Sequence, residues 1–241
     1  VSTALLIARR ELSSYFRSWL GPVLMAAVLL TDGLLFYWKI GVDQKALSAQ
    51  VLFDFFYNSS GPMMIAAIIL TIRLLAEERQ TGTLVLLNTS PVKDRDIVIG
   101  KFLAAYAVLA LITLLSLYMP AWIFVHGKVA IGHIVVGYLG LLLLGAAITA
   151  IGVFGSALAG SQVVAAIISA LIAAVFVLLW MPAKASEPPI NQYLAALAVH
   201  HENFRPFMQG ILLPSGVVFY VVFTYAFLFA SVKVLEARRW R

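Results

Sequence analysis

The sequence predicts an all-α integral membrane protein with six transmembrane helices. Three observations carry that prediction. Apolar residues make up 62% of the 241-residue chain and charged residues only 12%, whereas about a quarter of a soluble domain is charged. The apolar residues gather into six runs, each near the roughly 20 residues a helix needs to cross a bilayer. Lys and Arg cluster at the ends of those runs, where water and headgroups keep them solvated. The spans read as about 19–38, 58–76, 97–125, 131–158, 163–181 and 211–231, so that 1–241 reads as a single transmembrane domain with no room for a soluble one of ordinary size. The net charge of +6 is explained by topology and anionic lipid, not by nucleic acid. The chain has no cysteine, which excludes disulfides and thiolate metal sites.

The first element is amphipathic. Leu5, Ala8, Leu12, Tyr15 and Trp19 repeat at helical spacing, while Arg10, Ser14 and Arg17 line the other side. Residues 1–18 therefore read as a helix lying in the membrane interface. The apolar run that follows is too long for the core of a secretory signal. It is the first span, Trp19 to Trp38, bracketed by aromatic anchors. Asp32 interrupts it. An ionisable residue inside a span is a functional candidate, yet Trp38 is only about six residues away, roughly 9 Å along a helix. A transport or gating role and a solvated or paired role both stand.

Lys39 to Tyr57 reads as an outer loop with a short amphipathic segment through Leu47, Val51, Asp54 and Phe55. Gly61-Pro62 opens the second span, which ends near Ala76 and carries Arg73 where its side chain can snorkel. The charged stretch from Arg73 to Pro91 must lie in water or at the headgroups. Within it Leu84, Val85, Leu86 and Leu87 are apolar but too few to span. A short surface helix fits, with Gly82 as permissive backbone and Thr83 as its cap. Its apolar face either rests in the headgroup layer or fills a groove on another protein. Ser90 then caps the third span, with Pro91 at the first helical position and Asp94 and Asp96 near the positive end of the dipole. That span runs to about Val125, with Lys101 near its inner end.

At the end of the fourth span and just past it, Gly152, Ser156 and Gly160 fall four residues apart, the small-residue spacing that lets helix backbones pack closely, with a mobile hinge as the lesser reading. The fifth span follows after a tight connection and is ended by Pro182. Lys184 to Gln209 is the longest polar interruption, with a short helix over Gln192 to Val199 and then His200-His201-Glu202. Adjacent His side chains on a helix point about 100° apart, a poor match to the i,i+4 spacing of a zinc pair, so no metal is expected. The sixth span precedes a basic tail. Six spans place both termini on one side, together with twelve of the seventeen Lys and Arg residues. The positive-inside bias puts the termini and the Arg73–Pro91 loop in the cytoplasm and the short helices between spans five and six outside.

These residues resemble an ABC-2 type transporter permease, in particular the subfamily named for the gliding-motility permease. ARRELSSYFRSWLG (Ala8 to Gly21), LLAEERQTGTLVLLNTSPV (Leu74 to Val92), IVIGKFLA (Ile97 to Ala104), HENF (His201 to Phe204) and VLEARRWR (Val234 to Arg241) carry the likeness across almost the whole chain. Val85, where relatives often carry Glu, and His200-His201-Glu202 depart from the family pattern. The resemblance implies that the loop after span two is a coupling helix docked on a separate cytoplasmic ABC ATPase. Glu77, Glu78, Arg79, Gly82, Thr83, Leu84, Leu86 and Leu87 form its elbow, and Ser90-Pro91 begins span three. It also implies two ATPase copies and a second permease copy or companion membrane subunit, in the bacterial inner membrane, for export or mechanical work. ATP and Mg belong to the partner, leaving this chain no cofactor.

The chain lacks the G-x-x-x-x-G-K-[ST] phosphate loop, so it is not a nucleotide hydrolase of that chemistry. An intramembrane enzyme needs convergent acids, histidines or a nucleophile; Asp32 stands alone and the His pair lies in an outer loop. The alternative from another class is a membrane scaffold or force-transmitting component of an extracytoplasmic machine, working without cargo.

Overall fold

The computed structural model describes residues 3–42, 48–82, 92–126 and 129–239. All regular structure among them is helical. In chain order the helices are α1 (Thr3–Arg17), α2 (Leu20–Val42), α3 (Ser48–Thr71), α4 (Ala76–Gln80), α5 (Asp94–Leu115), α6 (Tyr118–His126), α7 (Ile131–Leu158), α8 (Gln162–Leu178), α9 (Trp180–Ala185), α10 (Ile190–Leu197), α11 (Arg205–Met208) and α12 (Pro214–Arg239). Among the described residues six segments are long and apolar enough to cross a membrane: Leu20–Trp38, Ala49–Gln80, Asp94–Val125, Ile131–Leu158, Gln162–Ala185 and Pro214–Arg238.

The second, third and fourth of these form the core, since 56%, 61% and 61% of their apolar windows are buried against 17–22% for the other three. Small residues explain why α7 occupies the centre. Ala147, Ala150 and Gly152 leave room for neighbouring backbones, and Ile148, Ile151 and Val153 fill the remaining gaps with no exposed surface. On α8 the pattern is reversed. Val163, Ile167, Leu171 and Val175, each four residues apart, are 54–70% exposed, an outward apolar stripe suited to lipid rather than water.

Several boundaries differ from those expected. The second span does not open at Gly61-Pro62. Its helix begins at Ser48, so Val51, Asp54, Phe55 and Tyr57 belong to α3 and not to a loop, while Leu47 lies outside the described residues. Leu52, Phe55 and Phe56 are buried, and the Phe56 ring meets Tyr138 of α7 edge-on with centroids 5.6 Å apart. That aromatic packing outweighs the polar residues that suggested a loop. Pro62 sits inside α3 and removes the helix hydrogen bond to the Asn58 carbonyl, a loss tolerated inside a helix bundle.

The same span breaks earlier than Ala76, because α3 stops at Thr71 and a turn through residues 72–75 leads into α4. The third span starts at Asp94, with Lys93 at the N-cap position in an extended conformation and no side-chain capping bond. Ser90 and Pro91, expected to begin it, lie outside the described residues. Val92 and Lys93 are non-helical, so no continuous helix joins Pro91 to α5. Pro182 does not end the fifth span; the break falls at Leu179, and Pro182 sits in the first turn of α9, where a missing N–H costs little. The short helix expected over Gln192 to Val199 covers Ile190–Leu197, and the chain leaves helix at Ala198 rather than Val199.

The apolar stripe of α1 is divided. Ala8 and Tyr15 are buried in the bundle whereas Leu5 and Trp19 are exposed. A Cβ on Gly100 of α5 would lie 2.7 Å from the Ala4 carbonyl oxygen and 2.8 Å from the Ile7 Cβ. Glycine at that crossing lets α1 seat against α5, so only part of its apolar surface remains for an interface.

Candidate functional site

The site grows from the end of α3. Thr71 turns its hydroxyl back onto the Ala67 and Ile68 carbonyls, 2.9 Å from each, a local bond that competes with helix continuation. The turn leaves the first amides of α4 without helical partners. Ser156 of α7 supplies one. Its hydroxyl oxygen accepts from the Leu75 and Ala76 N–H groups at 3.0 Å each and donates to the Ile72 carbonyl at 3.2 Å. In return α4 caps α7. The Arg79 guanidinium donates to the Ala159 carbonyl and, at 3.1 Å, to the Ala157 carbonyl, while Arg238 of α12 donates to the Leu158 carbonyl at 2.7 Å. These are carbonyls at the negative end of α7, where cations are favoured.

A second brace is ionic. Lys101 of α5 is 1% exposed, and its Nζ donates to Glu78 Oε1 at 2.8 Å and Glu11 Oε1 at 3.1 Å. Arg10 donates to the same two oxygens, at 3.5 Å and 2.8 Å. Arg73 pairs with Glu77 at 3.1 Å and lies over the Tyr15 ring, 5.7 Å from its centroid. Burial alone would raise the Glu11 carboxyl, but Lys101 and Arg10 hold it below the usual carboxylate range. Removing one member of such a buried pair typically costs about 3–5 kcal/mol. The groups enclose a polar cleft of about 180 Å³.

At the exit of α4, Gly82 has φ +74° with open space around its missing Cβ. Backbone conformation, not room, selects glycine there. Thr83, Leu84, Leu86, Leu87, Ser90 and Pro91 lie outside the described residues. Of the expected elbow residues, the structure places Glu77, Glu78 and Arg79 on α4, braced by α1, α5 and α7, and Gly82 in the turn just beyond it.

The other expected residues fall elsewhere. Asp32 is buried in α2, its Oδ1 without a hydrogen-bond partner among the described residues, beside Asn58 and Ser59 of α3. A Cβ on Gly152 would stand 1.9 Å from Thr71 Oγ1, so α7 and α3 touch there. Gly160 does not extend this packing face: α7 has ended at Leu158 and nothing lies within 4 Å of a Cβ at Gly160. His200 and His201 diverge. The His200 Nε2 is 2.7 Å from the Ser60 hydroxyl, and His201 stacks on Trp180 with centroids 4.6 Å apart. The surrounding segment is not a plain polar loop, for Val199, Phe204 and Phe207 are fully buried and Tyr220 donates to the Val199 carbonyl at 2.6 Å.

Sequence reasoning missed Glu11, the pairing role of Lys101 and the capping role of Ser156. One signal pointed to the first two. Lys101 has no acid within the following turn of its own helix, so a basic side chain at that depth needs partners from other elements.

A bundle with six helices long and apolar enough to cross a membrane among the described residues, bearing a short charged element braced at one end, is the architecture of a multi-pass membrane protein. The family model described as ABC-2 family transporter protein matches residues 5–204, and the chain belongs to that family. It is a membrane permease component of an ABC transporter, in a family that works with an ABC ATPase and is not itself the ATPase. No curated protein matches the chain.

Proposed function

We propose that the chain couples ATP hydrolysis on a separate cytoplasmic ABC ATPase to export or mechanical work across the bacterial inner membrane. The observation that carries this reading is the mounting of α4. A helix of five residues is too short to be stable alone, yet α4 is capped by Ser156, clamped to the end of α7 by Arg79 and tied through Glu78 to α5 and α1. A push on α4 therefore reaches three spans and the interfacial helix at once. Such a mount suits an element that receives force from outside the membrane.

In this reading Glu77, Glu78, Arg79 and Gly82 hold the elbow, Thr83 begins the coupling helix, and Leu84, Leu86 and Leu87 fill an apolar groove on the ATPase. Two ATPase copies, carrying ATP and Mg, serve two permeases, either two copies of this chain or this chain and a companion. The gliding-motility likeness rests on the motifs quoted above and belongs to the same proposal.

Two substitutions test it. Leu86→Asp places a charge in the apolar contact, a desolvation cost of several kcal/mol, where about 1.4 kcal/mol is tenfold in affinity. The variant should reach the membrane at normal levels and fail to retain the ATPase. Gly82→Val puts a β-branched residue at φ +74°, a strain of about 1–3 kcal/mol, and should misdirect the helix with its apolar face intact. The measurement is ATPase co-purification and nucleotide turnover at matched membrane levels. Normal binding and coupling by Leu86→Asp would show that the apolar face merely rests on lipid.

A further inference from the structure

We propose that α1 carries a binding site for the phosphate of an anionic phospholipid, formed by Arg10, Ser13, Ser14 and Arg17. The inference rests on α1 lying at the membrane interface; ATPase coupling has no part in its test.

These four residues stand at i, i+3, i+4 and i+7, the spacing that lines one face of a helix. With Ser18 they border an open groove of about 470 Å³. Every side chain bordering it carries a hydrogen-bond donor and none is acidic. The Ser18 hydroxyl is occupied, donating to the Tyr15 carbonyl at 3.2 Å, so Ser13 and Ser14 are the hydroxyls that face an incoming group without a partner among the described residues.

The charges point the same way. Arg10 and Lys101 together balance Glu11 and Glu78, which leaves that cluster neutral. Arg17, exposed two turns further along the same face, has no ion pair among the described residues. An anion in the groove would give Arg17 its counter-charge and meet the solvent-facing part of Arg10, whose side chain is 62% exposed. Guanidinium forks and hydroxyls match the spread oxygens of a phosphate.

The surroundings choose between a lipid and a free phosphate. Leu5, Leu6, Phe16 and Trp19 are 44–86% exposed on the same helix and its exit. A free phosphate would satisfy the arginines and leave that apolar surface uncovered. A phospholipid supplies the anion for the groove and acyl chains for the apolar residues beside it.

The test uses the purified full chain in neutral detergent, without ATPase, titrated with phosphatidylglycerol, phosphatidylcholine or inorganic phosphate and read by native mass spectrometry. Phosphatidylglycerol should be retained in preference to phosphatidylcholine. Arg17→Gln should weaken it by about tenfold, as expected for a lost charge-assisted contact, and Ser13→Ala with Ser14→Ala by a smaller factor. Arg9→Gln removes the same charge from an exposed arginine outside the groove and should change retention by less than about twofold. Equal losses from Arg9→Gln and Arg17→Gln would mean diffuse surface charge and overturn the site. Equal retention of both lipids would remove the anion preference. Displacement of phosphatidylglycerol by millimolar inorganic phosphate would assign the groove to a free anion and overturn the lipid.

Discussion

His200 connects the ionisation of one side chain to the seating of a whole segment. Its Nε2 lies 2.7 Å from the Ser60 hydroxyl oxygen, within hydrogen-bond distance, and the ring packs between Tyr57 and Phe204, with centroids 5.6 Å and 5.4 Å away. Burial, with a lesser push from His201, lowers its pKa to about 4. The folded protein therefore keeps the ring neutral at pH values where the unfolded chain, near 6.5, already binds the proton. Stability from this group is complete above about 6.5 and is lost as pH falls toward 4, by roughly 3 kcal/mol over the window. Thermal unfolding in detergent should show that loss between pH 7 and pH 4.5. His200→Gln keeps a partner for Ser60 but cannot titrate, and should flatten the slope. Glu11 does not confuse the reading, because a carboxylate held below its usual range loses its contribution only beneath about pH 4.3. Equal slopes in the two proteins would mean that His200 is protonated in place.

At the scale of elements, the joint between α4 and α7 separates two roles for one residue. Ser156 satisfies a small-residue spacing and also caps two amides. Ser156→Ala keeps the small size and removes the hydroxyl. If spacing is all that matters, the change is neutral; as a cap, its loss leaves buried amides unpaired and costs about 1–3 kcal/mol. Faster amide exchange at Leu75 and Ala76, with a lower melting temperature, is the expected result. This residue also shows what sequence can carry. The small spacing was legible in it, because helix period alone places Gly152 and Ser156 on one face, but the hydrogen bond was not, since it depends on where α3 breaks. The six spans and the ends of the fourth were legible because long apolar runs leave few alternatives in hydrocarbon. The start of α3 was not, because Asp54, Asn58 and Ser59 look like a loop until the aromatic residues between them find α7. The elbow was visible as charge in the wrong place for a span; its braces, Glu11 from α1 and Lys101 from α5, are separated from it by 67 and 23 positions in sequence and carry no local pattern.

For the whole molecule, the placement of ends makes a prediction with two independent parts. Arg79 beyond α3 donates to the Ala157 and Ala159 carbonyls and Arg238 near the end of α12 to the Leu158 carbonyl between them, all at the end of α7, so the elbow and the tail share one end of the bundle. The α9–α10 connection follows a further complete span, α8 with α9, and so emerges at the other end. The absence of native cysteine allows each site to be read alone. Asn88→Cys and Arg241→Cys should behave alike toward a membrane-impermeant thiol reagent in intact cells, and Glu187→Cys should behave oppositely. That contrast tests the bundle, whichever way it is inserted. Which pair is shielded tests a different force, the bias of Lys and Arg toward the cytoplasm. With twelve of the seventeen basic residues expected on the side of the termini, positions 88 and 241 should be protected until the cells are permeabilised, while position 187 reacts at once. The reverse result would keep the fold and turn the protein over, placing the elbow where no cytoplasmic ATPase could reach it; identical reactivity at all three would break the six-span arrangement itself.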